Sequence, residues 1–79
     1  MEKYIKLSSL HPGESGVIDN LENKGMIRRR LIDLGFARGS EAACVGVAPF
    51  GDPKAYLIKG TVIALREEDS SKINVVKEE

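Results

Sequence analysis

Residues 26–36, MIRRRLIDLGF, decide the fold, because they predict a helix and also mark where that helix ends. Apolar side chains recur at i, i+4 and i+7, which places three of them on one face of a helix over residues 26–34: Ile27, Leu31 and Leu34. Gly35 follows at the position where a left-handed residue commonly ends a helix. Phe36 comes next, where a Schellman cap packs an apolar side chain back on Leu31. We therefore predict a capped amphipathic helix.

On both sides of this helix the sequence predicts short β-strands separated by Gly and Pro turns. The runs with strand character are residues 16–21, 41–47, 54–59, 61–66 and 73–76. Short helical turns are predicted over residues 7–10 and 67–71. The fold class is therefore mainly β: a small, closed SH3-like barrel of about five strands with one inserted α-helix. We expect a single domain over residues 1–79, with its core at about residues 6–76.

Composition limits the classes of function. A chain of 79 residues has no room for a deep substrate cleft. Its 12 basic and 12 acidic residues balance, whereas nucleic-acid-binding domains usually carry a basic excess, so no nucleic-acid partner is expected. The one cysteine, Cys44, cannot form an internal disulfide, which is typical of a reducing cytoplasm. No apolar run approaches the ~18 residues of a membrane span, and no signal peptide is recognisable. We expect a cytoplasmic protein that meets a membrane only through a partner.

Reactive side chains are too few for catalysis or for a metal centre. His11 and Cys44 are the only soft ligands, and a structural or redox metal site usually needs three or four. Some acidic residues could hold a hard cation loosely, but such a charge run is usually a solvated turn: Asp52, Glu67, Glu68 and Asp69. One histidine cannot supply both partners of a proton relay. We predict no enzyme activity, no cofactor and no metal site.

Four segments in a fixed order carry a family resemblance: LSSLHPGE (7–14), RRLIDLGF with RGS (29–36 and 38–40), APFGDP (48–53) and GTVIALR (60–66). Together they resemble the FeoA family of ferrous iron transport accessory proteins over residues 6–75. The resemblance implies an SH3-like cytosolic protein that serves ferrous iron uptake. Its implied partner is FeoB, a membrane permease with a cytosolic G-protein domain. The alternative is a regulatory barrel that binds a metal-dependent repressor or nucleic acid.

An arginine cluster is the first candidate contact surface for a partner. It consists of Arg28, Arg29 and Arg30 with Arg38, and Arg28, Arg29 or Arg38 is expected to meet an acidic patch on the partner. Arginine is well suited to interfaces because its guanidinium is planar and weakly hydrated. The alternative is a solvated helix face on which Arg29 or Arg30 pairs with Asp33.

The loop of residues 49–53, with Pro49, Phe50 and Asp52, is the second candidate surface. An aromatic ring at a hairpin tip has little core to pack against, and aromatic residues are enriched at interfaces. The alternative is that Phe50 folds back over the end of the barrel as a lid. This loop and the strand edges are also the surfaces through which a homodimer could form.

Overall fold

The computed structural model describes residues 1–78 as one antiparallel sheet with a helix inserted between two of its strands. In chain order the elements are β1 (Glu2–Lys6), a 3-10 turn (Leu7–Ser9), β2 (Ser15–Leu21), α1 (Gly25–Leu34), β3 (Glu41–Val47), β4 (Lys54–Ile58), β5 (Thr61–Leu65), α2 (Glu67–Ser70) and β6 (Ile73–Glu78). The strands lie in the order β1-β6-β2-β3-β4-β5. The predicted mainly β class, the inserted helix and both short helical turns are confirmed.

The sheet differs from the prediction in two ways. It has six strands, because Glu2–Lys6 pairs antiparallel with β6, which itself runs to Glu78 and not only to residue 76. Three of the five residues of β1 are charged, so this segment lacks the apolar alternation that predicts a strand. The predicted closure is wrong for residues 1–78, because no ladder joins β1 to β5 and the sheet keeps two edges.

The core collects buried side chains from the whole length of the fold. The largest fully buried ones are Tyr56, Phe36, Leu7, Leu10, Ile18, Leu31, Ile58, Ile73 and Val75. Lys54 holds the 3-10 turn over this core, since its Nζ donates to the carbonyls of Ser8 (2.7 Å) and Leu10 (3.0 Å). Burial raises the pKa of the Tyr56 phenol, so Tyr56 remains neutral in the core.

The end of α1 follows the predicted Schellman cap. Gly35 is left-handed, with φ of 117°. Its N–H donates to the Ile32 carbonyl at 3.0 Å, and the Phe36 N–H donates to the Leu31 carbonyl at 2.9 Å. Leu31 and Phe36 are both fully buried, so the helix is tied to the core at its C-terminal end.

The predicted apolar face of α1 is only partly buried. Leu31 is 1% exposed, but Ile27 and Leu34 each remain 38% exposed. The helix begins at Gly25, one residue earlier than predicted. Thus α1 contributes one fully buried side chain, Leu31, to the core, and Ile27 and Leu34 are only partly covered.

An ion pair between Glu14 and Lys77 ties β6 to the turn that precedes β2. The hydrogen bond from Lys77, with a second from the His11 N–H at 2.7 Å, holds the pKa of Glu14 below its ordinary value of 4.5. Because the unfolded chain binds a proton more readily here, ionised Glu14 stabilises the fold above the ordinary pKa. That contribution disappears as the pH falls through the lowered folded value.

Glu14→Gln is therefore expected to make stability less sensitive to acid, because the variant has no carboxylate to protonate. The measurement is the urea midpoint at several pH values between about 6 and about 3. Glu68→Gln, at an exposed position, is the matched control and should follow the parent protein. An unchanged pH profile in Glu14→Gln would show that the ion pair does not contribute.

Candidate partner-binding surface

Helix α1 presents a mixed apolar and basic surface to solvent. Five side chains line an open concavity on it, and we call this set the α1 face: Met26, Arg29, Arg30, Asp33 and Leu34. Met26 is 90% exposed. Besides fully buried Leu31, three apolar side chains of α1 are each 38% exposed: Ile27, Ile32 and Leu34. A partner that covers the α1 face would bury the apolar area that the fold leaves open.

The charge on α1 is not neutralised from within. The helix carries three arginines against one aspartate, and its first turn has no acidic residue. Within residues 1–78 neither Arg29 nor Arg30 forms an ion pair with Asp33, so the predicted internal pairing is wrong. The helix dipole adds partial positive charge at the N-terminal end. The α1 face is thus complementary to an acidic surface with apolar spots.

Arg28 does not belong to this face. Its guanidinium donates a hydrogen bond to the carbonyl of Leu21, the last residue of β2. The bond joins the first turns of α1 to the strand that precedes it. Arg28 remains exposed, and its guanidinium also anchors the helix to β2.

Phe50 stands at the tip of a hydrogen-bonded loop over residues 48–53, which we call the Phe50 loop. The Ala48 N–H donates to the Pro53 carbonyl at 3.0 Å, and the Gly51 N–H donates to the Ala48 carbonyl at 2.8 Å. The Phe50 side chain is 98% exposed, so the predicted alternative in which it forms a lid is wrong. A hydrogen-bonded loop that presents an aromatic ring to solvent is a suitable anchor for a partner pocket.

Asp52 links the Phe50 loop to the start of α2. Its Oδ1 accepts a hydrogen bond from the Glu67 N–H at 2.8 Å, and its Oδ2 lies 3.9 Å from an Nη atom of Arg66. Both partners lie at the start of α2. Asp52 therefore holds the Phe50 loop against α2, and its carboxylate is engaged within the chain.

Short helix α2 lies between the Phe50 loop and the start of α1. On one side, Asp52 accepts from Glu67 of α2. On the other, the Asn23 side chain donates to the Asp69 carbonyl at 3.1 Å, two residues before α1 begins. These contacts place the Phe50 loop at the start of α2 and the residues just before α1 at its last turn.

Arg38 belongs to neither the α1 face nor the Phe50 loop. It precedes β3 in a turn where the Gly39 N–H donates to the Ile18 carbonyl at 2.8 Å. The Phe50 loop follows β3, and a strand of seven residues spans about 23 Å. The structure therefore does not bring together all the predicted contact residues. Pro49 and Phe50 are exposed in the loop after β3, Arg29 is exposed on α1, and Arg38 is exposed in the turn before β3.

Met26 is a surface residue that the sequence analysis did not single out. It lies five residues before Leu31, so their side chains are about 140° apart around the helix. That separation from the buried stripe is a usable signal of exposure. Met26 and Phe50 both present large apolar side chains to solvent.

The residues considered for metal binding do not converge. Within residues 1–78, no group of three or more His, Cys, Asp or Glu side chains is placed to hold a metal ion. His11 is exposed in a turn, and Cys44 is buried in β3 with its Sγ 3.7 Å from the Gly46 carbonyl. Over the same residues, no helix is long and apolar enough to cross a membrane.

Comparison with known families decides the assignment. The model of the FeoA domain matches residues 5–77. The chain belongs to the FeoA family. A relative from Porphyromonas gingivalis, the Fe(2+) transport protein A/Fe(2+) transporter FeoB fusion protein, is 39% identical over 90% of the chain. The chain corresponds to only 8% of the length of that fusion protein.

Solved FeoA structures share the fold. Iron(II) transport protein A from Clostridium thermocellum is 38% identical, with a TM-score of 0.88 over 92% of this chain and 45% of its own. FeoA from Stenotrophomonas maltophilia, solved with zinc, is 31% identical, with a TM-score of 0.80 over 90% of this chain and 88% of its own. That protein is described as an SH3 domain protein and as a possible ferrous iron transport activating factor. The predicted family and SH3-like fold are confirmed.

Proposed function

We propose that this chain is a non-enzymatic accessory module of ferrous iron uptake that docks on a FeoB-like membrane transporter and modulates its transport or GTPase cycle. The fusion of the two proteins in Porphyromonas gingivalis carries the proposal. Fusion into one chain keeps each of the two modules at about millimolar effective concentration for the other. Two modules that bind each other only weakly can therefore stay associated. The proposal puts the chain in the cytoplasm, beside the G-protein domain of the transporter.

The docking surface in this proposal consists of the α1 face and the Phe50 loop. The Phe50 loop is hydrogen-bonded to the start of α2, and Asn23, just before α1, is hydrogen-bonded to the last turn of α2. Both surfaces present large apolar side chains, and within residues 1–78 Arg29 forms no ion pair. Interfaces commonly combine aromatic and Met anchors with arginine in this way. Arg28 and Asp52 support the surface through their bonds to Leu21 and Glu67. Arg38, at the other end of β3, is left for a separate contact.

Removal of the gene tests the function in cells. Uptake of labelled ferrous iron should fall in a strain that lacks this chain and keeps the transporter, and it should recover when the chain is supplied. Unchanged uptake without the chain, together with no binding to the transporter's cytosolic domain in any nucleotide state, would defeat the proposal.

Arg29→Glu is expected to weaken binding to the transporter's cytosolic domain about tenfold, because it reverses a charge that faces the partner. The effect should fall mainly on the association rate and shrink at high salt. The measurement is surface plasmon resonance at two salt concentrations. Lys3→Glu, an equal charge reversal on exposed β1, is the matched control. Equal losses in both variants would show a general charge effect and no specific contact.

A further inference from the structure

Strand β5 is an unprotected edge of the sheet. It pairs with β4 along its whole length without a bulge, and no strand of residues 1–78 lies on its other side. Its sequence, TVIAL, carries no charge. Natural edge strands usually carry charged residues, Pro or bulges that prevent further pairing. The opposite edge, β1, follows that rule with three charged residues in five.

The turn before β5 determines which of its backbone groups are free. Lys59 and Gly60 form a two-residue hairpin loop with φ of 48° and 79°, the pattern of a type I′ turn. In such a hairpin the flanking pair, Ile58 with Thr61, is hydrogen-bonded, and alternate pairs follow. The N–H and C=O groups of Val62 and Ala64 therefore point away from β4. Within residues 1–78, no hydrogen bond outside the strand ladders engages them.

The outer face beside this edge is also free of charge. Val62 is 61% exposed and stands next to Leu57 of β4, which stands next to Ala43 of β3. Ala64 stands next to Ala55 in the neighbouring row. The edge and the face next to it are thus apolar, and nothing on them would repel an identical surface.

We propose that β5 pairs antiparallel with β5 of a second copy of this chain, about a two-fold axis at Ile63. In this register Val62 of each copy faces Ala64 of the other, and the two residues exchange both backbone hydrogen bonds. The two symmetric pairs form four hydrogen bonds. Ile63 faces Ile63 of the second copy as the close, non-hydrogen-bonded pair. The contact is isologous, so it closes at two copies and does not extend into a fibre.

The pairing is expected to be weak. A strand of five residues is about 17 Å long, whereas a stable interface buries about 800 Å² on each partner. An interface of that size would cover about a sixth of the 5025 Å² accessible surface of the chain, which is much more than this one edge supplies. Dimers should therefore form reversibly as concentration rises. This inference goes beyond the proposed transporter function, since it uses neither the α1 face nor the Phe50 loop.

Sedimentation velocity over a concentration series, with matched lysine variants, tests the proposal. Val62→Lys places a charge on the free edge and should raise the dimer dissociation constant at least about tenfold. Val45→Lys is the control, because Val45 is 48% exposed on interior strand β3, and it should change the constant less than about twofold. A protein that stays monomeric at millimolar concentration, or a Val62→Lys variant that dimerises like the parent, would overturn the proposal.

Amide hydrogen exchange gives a second readout that does not depend on a variant. The amides of Val62 and Ala64 should become protected as protein concentration rises. The Ile63 amide, which bonds to Tyr56 in the β4 ladder, should be protected at every concentration. Protection of Val62 and Ala64 only after the transporter's cytosolic domain is added would assign the edge to a strand of that partner and would refute pairing between copies.

Discussion

Phe36→Ala is expected to lower the free energy of unfolding by about 3–5 kcal/mol. Phe36 is fully buried, so truncation removes its apolar contacts and leaves a cavity in the core. Phe36 also belongs to the cap of α1, where its backbone N–H donates to the Leu31 carbonyl. A domain of this size has a total stability of about 4–12 kcal/mol, so the loss is a large fraction of it.

The two phenylalanines of the chain form a matched pair for this measurement. Phe50→Ala makes the same chemical change at a side chain that is 98% exposed, and it should alter the unfolding free energy by less than about 0.5 kcal/mol. Urea unfolding followed by circular dichroism compares the two variants. Equal losses of stability in both would contradict the assignment of Phe36 to the core and of Phe50 to the surface.

Phe50→Ala is expected to weaken binding to the transporter's cytosolic domain about 30-fold, which corresponds to ~2 kcal/mol. The ring is held away from its own core by a hydrogen-bonded loop, so little ordering is needed when a partner pocket takes it up. Isothermal titration calorimetry measures the change, and Phe50→Leu should recover part of the affinity through its apolar side chain.

Stability and binding separate the roles of these residues. The Phe50→Ala protein should unfold at the parent's urea midpoint and yet bind poorly. A stable Phe50→Ala protein with the parent's affinity would remove the Phe50 loop from the docking surface. The Arg29→Glu result would then decide whether the α1 face docks without it.

The helix and its cap could be predicted because their determinants are local. Gly35 supplies the left-handed residue, and Phe36 reaches Leu31 across one turn. β1 could not be predicted in the same way, because Glu2–Lys6 becomes a strand through pairing with residues 74–78 at the far end of the chain. Its own charged sequence carries no periodic signal.

The candidate site was only partly predictable for a related reason. The composition of residues 48–53 indicates a loop with an aromatic tip, but its direction depends on the bond between Asp52 and Glu67, 15 residues apart. Likewise, the sequence places Arg28 on an exposed part of the helix, but it does not reveal that the guanidinium bonds to the end of β2. Long-range contacts of this kind decide which exposed-looking residues remain free to bind.

Amide chemical-shift mapping tests the docking account most directly. The isotope-labelled chain is titrated with the unlabelled cytosolic domain of the FeoB-like transporter in each nucleotide state. The predicted result is a set of shift changes centred on Met26, Arg29 and Phe50, with β1 unaffected. Spectra that do not change in any nucleotide state, or changes confined to residues outside the α1 face and the Phe50 loop, would contradict it.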